Sequence, residues 1–143
     1  MIQLSIRLLA PESIEAKKLN YVVMGARYQD KWIFVRHHQR TTWEMVSGHI
    51  EAGESADEAA LRELSEEAGV MESSLKVLCD YEVSVKGKLE YGRLYGVVVQ
   101  KLNPLFEHEI EELIMADTLP GALTYPEVHT QLFQRALEHF GLS

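Results

Sequence analysis

Residues 48–70 read GHIEAGESADEAALRELSEEAGV, and the signals within them organise the rest of the chain. Ser55 to Glu58 (SADE) is a capping box, in which the hydroxyl and the carboxylate reciprocally satisfy N–H groups left open at a helix start. A helix is therefore expected from about Ala56, rich in Ala and Leu, and Gly69 sits where a left-handed residue stops it after about three turns. Ala60, Leu61, Leu64 and Ala68 are spaced as one buried stripe. Glu63, Glu66 and Glu67, at i, i+3 and i+4, are expected to stack on a different face.

That stack is locally unfavourable. Like charges at i, i+4 cost a few tenths of a kcal/mol, and the last turn of a helix disfavours anions by roughly 0.3–1 kcal/mol each. Arg62 can pair with Glu66 at i+4, yet one guanidinium does not neutralise three carboxylates. A break in local rules of this kind points towards a site rather than towards stability. Oxygen-only donors with excess negative charge suit a hard divalent cation, Mg²⁺ or alternatively Mn²⁺, whose other positions take water and phosphate oxygens. A solvated acidic helix face is the other reading of the same residues.

The whole stretch resembles the Nudix signature, G-x5-E-x7-R-E-U-x-E-E-x-G-U with U aliphatic. It matches at Gly48, Glu54, Arg62, Glu63, Leu64, Glu66, Glu67, Gly69 and Val70. The resemblance implies a loop-helix-loop metal and pyrophosphate site in an enzyme that hydrolyses nucleoside diphosphates linked to another group. It implies Glu63, Glu66 and Glu67 as metal ligands, Arg62 as the residue orienting Glu63, and Glu54 as support for the loop or an outer-shell water. Family members often carry Pro-Gly-Gly where this chain has Val46-Ser47-Gly48. In related enzymes a backbone carbonyl of that turn, here Ser47 or Gly48, joins the metal site. Serine tolerates positive φ less readily than glycine, so the conformation of this turn is where the chain departs from the pattern.

Composition agrees with such an enzyme. With 143 residues, 46% of them hydrophobic and 25% charged, residues 1–143 are expected to form one domain with its own core. No linker, low-complexity tract or repeat is visible. No apolar run approaches the roughly 18 residues of a membrane span, and the start MIQLSIRLLAPES lacks the pattern of a signal peptide. The lone Cys79 excludes an intramolecular disulfide and reads as a core residue, so a reducing cytoplasm is the expected compartment. A net charge of −8 argues against a nucleic-acid polymer as partner, whereas metal ions can screen the short phosphate chain of a nucleotide.

Outward from the signature, residues 2–9 read as a strand, and 20–28 with 31–38 as a hairpin across Gln29-Asp30. Trp43 to Val46 reads as a short strand leading into the signature turn. The hairpin ends in Arg36, His37, His38 and Arg40, a basic cluster expected to meet substrate phosphates or the base, or else surface acids. Residues 75–85 and 91–102 read as two strands joined around Lys86-Gly87-Lys88. Gly92 and Gly96 mark either a close approach or a bulge, and Tyr81, Tyr91 and Tyr95 either stack on a base or pack in the core. In the acidic stretch 107–112, Glu107 and Glu109 are the candidates for the further carboxylate that Nudix enzymes take from this region. A last helix is expected over about 127–140, with Pro126 in its first turn and Gly141 stopping it. Two helices against six or seven strands give an α/β fold, a three-layer α/β/α sandwich on a mixed sheet, which is also the Nudix fold.

The expected reaction is Mg²⁺-assisted attack of water on a phosphorus of a nucleoside di- or triphosphate-type substrate, releasing a nucleoside monophosphate. Glu63 is one candidate general base, and a Glu of the 107–112 segment is another. MutT-like enzymes are the nearest type, with 8-oxo-dGTP as the leading substrate. ADP-ribose, dinucleoside polyphosphates and RNA ends stay open. A catalytically weak Nudix-like sensor that binds a nucleotide is the alternative, and an acidic interaction domain is a third. A homodimer is compatible with the sequence but not required by it.

Overall fold

The computed structural model describes residues 4–103 and 110–142. Glu107 and Glu109 lie outside the described residues, so the expectation for them is not addressed by the structure.

Among the described residues, seven strands and two α-helices follow in the order β1 (Leu4–Leu9), β2 (Tyr21–Tyr28), β3 (Lys31–His37), β4 (Glu44–His49), α1 (Ala56–Ala68), β5 (Val70–Val85), β6 (Lys88–Leu102), β7 (Ile110–Ala116) and α2 (Pro126–His139). They form one mixed sheet in the spatial order β1-β5-β6-β2-β4-β3-β7. β2 and β6 run parallel, from Tyr21 opposite Gly92 to Arg27 opposite Val98, and the other pairings are antiparallel. α1 covers one face and α2 the other, giving the expected three-layer α/β sandwich. Among the described residues no helix is long and apolar enough to cross a membrane.

Strand alternation divides the core between the two helices. Val22, Met24, Ile33, Val35, Val46 and Val97 pack with Ala60 and Leu64 of α1. Val23, Trp32, Phe34, Met45 and Leu94 pack with Leu132, Phe133 and Ala136 of α2. His129 of α2 is also buried, and its Nδ1 accepts the Met45 N–H at 3.3 Å. Burial holds this imidazole neutral, with its pKa pushed down to about 4.

The hairpin across Gln29-Asp30 forms only at its tip. Both turn residues take positive φ, 50° and 68°, as a two-residue turn of the right twist needs. Only Arg27 and Tyr28 face Trp32 and Lys31. Beyond that the two strands part, and β4 lies between them. Its first residues pair with β3 (Glu44 with Val35, Met45 with Phe34), and Val46 to His49 pair with β2. The expected short strand thus extends through Gly48.

β5 and β6 begin earlier than propensity suggests. Residues of the polar run Met71-Glu72-Ser73-Ser74 pair with β6 across bulges, so cross-strand pairing overrides local composition. The two glycines of β6 are close approaches within the protein. A Cβ on Gly92 would stand 2.5 Å from Cε1 of Tyr81, and one on Gly96 would stand 3.0 Å from His139 and 3.1 Å from Leu78. Tyr81, Tyr95 and Cys79 are buried, which places them in the core.

Candidate functional site

The capping box forms as the sequence predicts. Ser55 Oγ accepts the Glu58 N–H, Glu58 accepts the Ser55 N–H, and Gly69 ends α1 with φ 67°. Its buried face differs from the expected stripe. Leu61 is 49% exposed, while Ala56, Ala59, Ala60, Leu64 and Ala68 are buried. Centred on that line, the helix carries two of its acids inward. Glu67 is only 6% exposed, and the Glu63 side chain only 12%. Glu66 stays at the rim with its side chain 49% exposed. The three carboxylates thus do not share a solvated face, because the helix presses two of them onto β4.

Arg62 lies at the centre of these acids. Its Nε and Nη2 donate to the two oxygens of Glu54 at 2.7 and 3.0 Å, a bidentate pair. Nη1 donates to Glu63 Oε1 at 2.6 Å and to Glu66 Oε2 at 3.3 Å. Nη2 also donates to the His49 carbonyl at 3.0 Å, and Glu51 stands 3.2 Å from Nε. Five donors in a rigid fork make this possible; a lysine has no such geometry. Its hydrogen bonds to Arg62 hold the Glu54 carboxyl down at about 2. Glu63 moves the other way. Burial, helped by the charge of Glu67, pushes its carboxyl up to about 7 against the pull of Arg62.

Glu67 is held separately. Ser47 N–H donates to its Oε1 at 3.0 Å, and His37 Nε2 stands 3.2 Å from its Oε2. Burial raises its pKa, opposed by His37 and the Ser47 amide. The Ser47 amide is available because β3 has already left β4 at this point. Neither Ser47 nor Gly48 takes positive φ, so Ser47 carries no conformational penalty. The demand on Gly48 is steric instead: a Cβ there would run into the Glu63 side chain.

Alternation splits the basic cluster. His37 follows Ile33 and Val35 on the α1 side and reaches Glu67. Arg36 points the other way, 3.2 Å from Glu112 Oε1 and 6.0 Å from the Trp43 ring centre. Arg40 lies over Tyr125, and His38 belongs to the turn that follows β3. The structure thus brings Glu54, Arg62, Glu63, Glu66, Glu67, Ser47, Gly48 and His37 together, and leaves Arg36 and Arg40 on the opposite face.

Sequence reasoning missed Glu44. This carboxylate is 6% exposed, and its Oε1 lies 3.8 Å from His37 Nε2. The signal was available, since Glu44 shares the parity of the inward-facing Val46 within β4. Among the described residues no three His, Cys, Asp or Glu side chains are gathered as a ready coordination shell. Arg62 instead holds Glu63 and Glu66, and His37 stands beside Glu67. The donor set nevertheless suits a hard divalent cation, being all oxygen, partly buried and acidic beyond what Arg62 and His37 offset.

The profile of the NUDIX domain matches residues 18–128. YtkD of Bacillus subtilis, provisionally named an 8-oxo-dGTP diphosphatase, is 35% identical over 102 residues, covering 64% of each chain. MutT4 of Mycobacterium tuberculosis, provisionally named a mutator protein, is 31% identical over 97 residues, covering 62% of this chain and 38% of its own. The match thus spans less than two thirds of the length of either relative. Among solved structures, a mutant of the Bacillus subtilis pyrophosphohydrolase BsRppH superposes with a TM-score of 0.80 at 25% identity, covering 95% of this chain and 91% of that one.

Proposed function

The chain belongs to the NUDIX family, and on that premise we propose that residues 1–143 act as one hydrolase domain cleaving a pyrophosphate bond in a nucleoside di- or triphosphate-type substrate. Oxidised nucleotides such as 8-oxo-dGTP are the first to try, a choice suggested by the name of YtkD. The observation that carries the proposal is the pair of inward-turned carboxylates, Glu63 and Glu67, held against β4 by Arg62, His37 and the Ser47 amide.

In this reading Glu63, Glu66 and Glu67, with a Ser47 or Gly48 carbonyl, hold Mg²⁺ or Mn²⁺. The cation supplies charge neutralisation for the phosphate chain and Lewis-acid polarisation at phosphorus. The protein's own groups do the rest. Arg62 anchors Glu63 Oε1 and is itself fixed by Glu54, so the Glu63 carboxyl keeps one orientation. Glu63, held in place by Arg62, is the candidate to take the proton of the attacking water and pass it to solvent after the nucleoside monophosphate departs, and a glutamate of the 107–112 segment is the other candidate. The net charge of −8 supports a small nucleotide rather than a nucleic-acid polymer as substrate, and the cytoplasm is the compartment proposed.

The test is incubation with a nucleotide panel, with and without Mg²⁺, followed by mass spectrometry of both phosphate fragments. Cation-dependent turnover abolished by Glu66→Gln and Glu67→Gln supports the proposal. Turnover that survives both substitutions sinks it, and binding without turnover assigns a sensor instead.

A further inference from the structure

His37 stands between two buried carboxylates, one from strand β4 and one from helix α1. Its Nε2 lies 3.2 Å from Glu67 Oε2 and 3.8 Å from Glu44 Oε1, and both acids are only 6% exposed. We propose that Glu44 is a positioning residue of the cation site: it anchors the His37 imidazole, and His37 with the Ser47 amide presents Glu67 in one orientation. The inference rests on reading α1 as a cation site.

The geometry behind it is a convergence of three elements. Glu44 pairs with Val35 in the β3–β4 ladder, two residues before His37 on the same face of β3. The two side chains meet beneath α1, beside a register shift in the β3–β7 ladder between Arg36 and His37. Glu67 comes down onto them from the last turn of α1, where its remaining oxygen takes the Ser47 N–H. A carboxylate this buried is costly unless paired, so Glu44 limits where the imidazole can go. Fixing His37 in turn limits the rotamers of Glu67, a long side chain that would otherwise sample several. Partners that lie behind a metal ligand hold it in register, and removing them typically costs about 10- to 100-fold in metal affinity or activity.

The test uses the intact protein and two readouts. In the cation-free protein, Glu44→Gln should shift the ring-nitrogen NMR signals of His37 and the carboxylate carbon signal of Glu67. Mn²⁺ affinity, followed by electron paramagnetic resonance, should fall about 10- to 100-fold. Glu44→Asp, which keeps the charge, should recover most of that loss and also serves if the Gln variant folds poorly. In a His37→Asn background, Glu44→Gln should add less than about two-fold, because the two act through one chain. An unmoved Glu67 signal, or losses that simply multiply, overturns the inference. Turnover on the nucleotide panel is read separately. A wild-type protein that binds Mn²⁺ and hydrolyses nothing removes the hydrolase reading and leaves this one standing.

Discussion

Gly48 and Glu63 share one space. A Cβ on Gly48 would stand 2.7 Å from Cγ of Glu63 and closer still to its carboxyl. The backbone at Gly48 is ordinary strand, so Gly48→Ala meets no torsional penalty and the carboxylate has to give way. Turnover should fall on the order of 100-fold, the usual consequence of misplacing a reacting group by about 1 Å. The melting temperature should change little. Steady-state kinetics beside calorimetry checks the contrast.

Gly92→Ala should do the reverse. The obstacle there is the ring of Tyr81, which is buried and has nowhere to move. Overpacking of this kind costs about 1–3 kcal/mol, read as a lower urea midpoint. The activity of the molecules that remain folded should stay near the wild-type value.

Arg62→Lys should lose most activity although the charge is kept. Lysine can meet one oxygen of Glu54 or Glu63, whereas Arg62 spans both acids and the His49 carbonyl. A drop of about 10- to 100-fold is expected, and Glu54→Gln should show a smaller loss in the same direction. If kcat/KM of Arg62→Lys stays within about two-fold of wild type, the bridging geometry is irrelevant to turnover.

Ser47→Gly, which restores the glycine common in the family, should bring no gain. Ser47 adopts no positive φ, and its contribution to Glu67 is a backbone N–H that glycine also has. Activity should stay within about two-fold, with a stability cost of about 0.5–1 kcal/mol for glycine within a strand.

His129 sets an acid limit on stability. Its pKa is depressed in the folded protein from an ordinary 6.5 to about 4, because the neutral ring is buried and accepts the Met45 N–H. The unfolded chain therefore takes up the proton first as pH falls. The contribution is complete above about pH 6.5 and is lost progressively on the way to about pH 4, amounting to about 3 kcal/mol. Urea titrations at intervals from pH 7.5 to 4 measure the slope, and His129→Gln should flatten it.

Local chemistry was the legible part of this sequence. The capping box, the stop at Gly69 and the reach of Arg62 towards its acids depend on residues within one turn or one loop, and each appears as expected. Pairing at longer range was not legible. Gln29-Asp30 predicts a hairpin correctly at the turn, but nothing within 20–38 announces that another strand enters between its arms. The same limit applies to the basic cluster. Arg36 and His37 look like one charged patch in the sequence, and strand alternation sends them to opposite faces. Glu44 was hidden for a related reason: an acid inside an apolar strand gives no sign of its partner until β3 and α1 are brought to it.

The placement of β4 between β2 and β3 bears on how the protein assembles. The tip of the β2–β3 hairpin is local and can close early, but its arms must stay apart to admit β4. Ser47 and Gly48 pair with β2 without α1, but they meet Glu67 and Glu63 only when α1 lies across the sheet. Partially folded chains should therefore lack the carboxylate cradle even where the helix and the hairpin tip exist. In amide hydrogen exchange, Met45, Val46 and Ser47 should be among the slowest residues, opening only with the whole molecule.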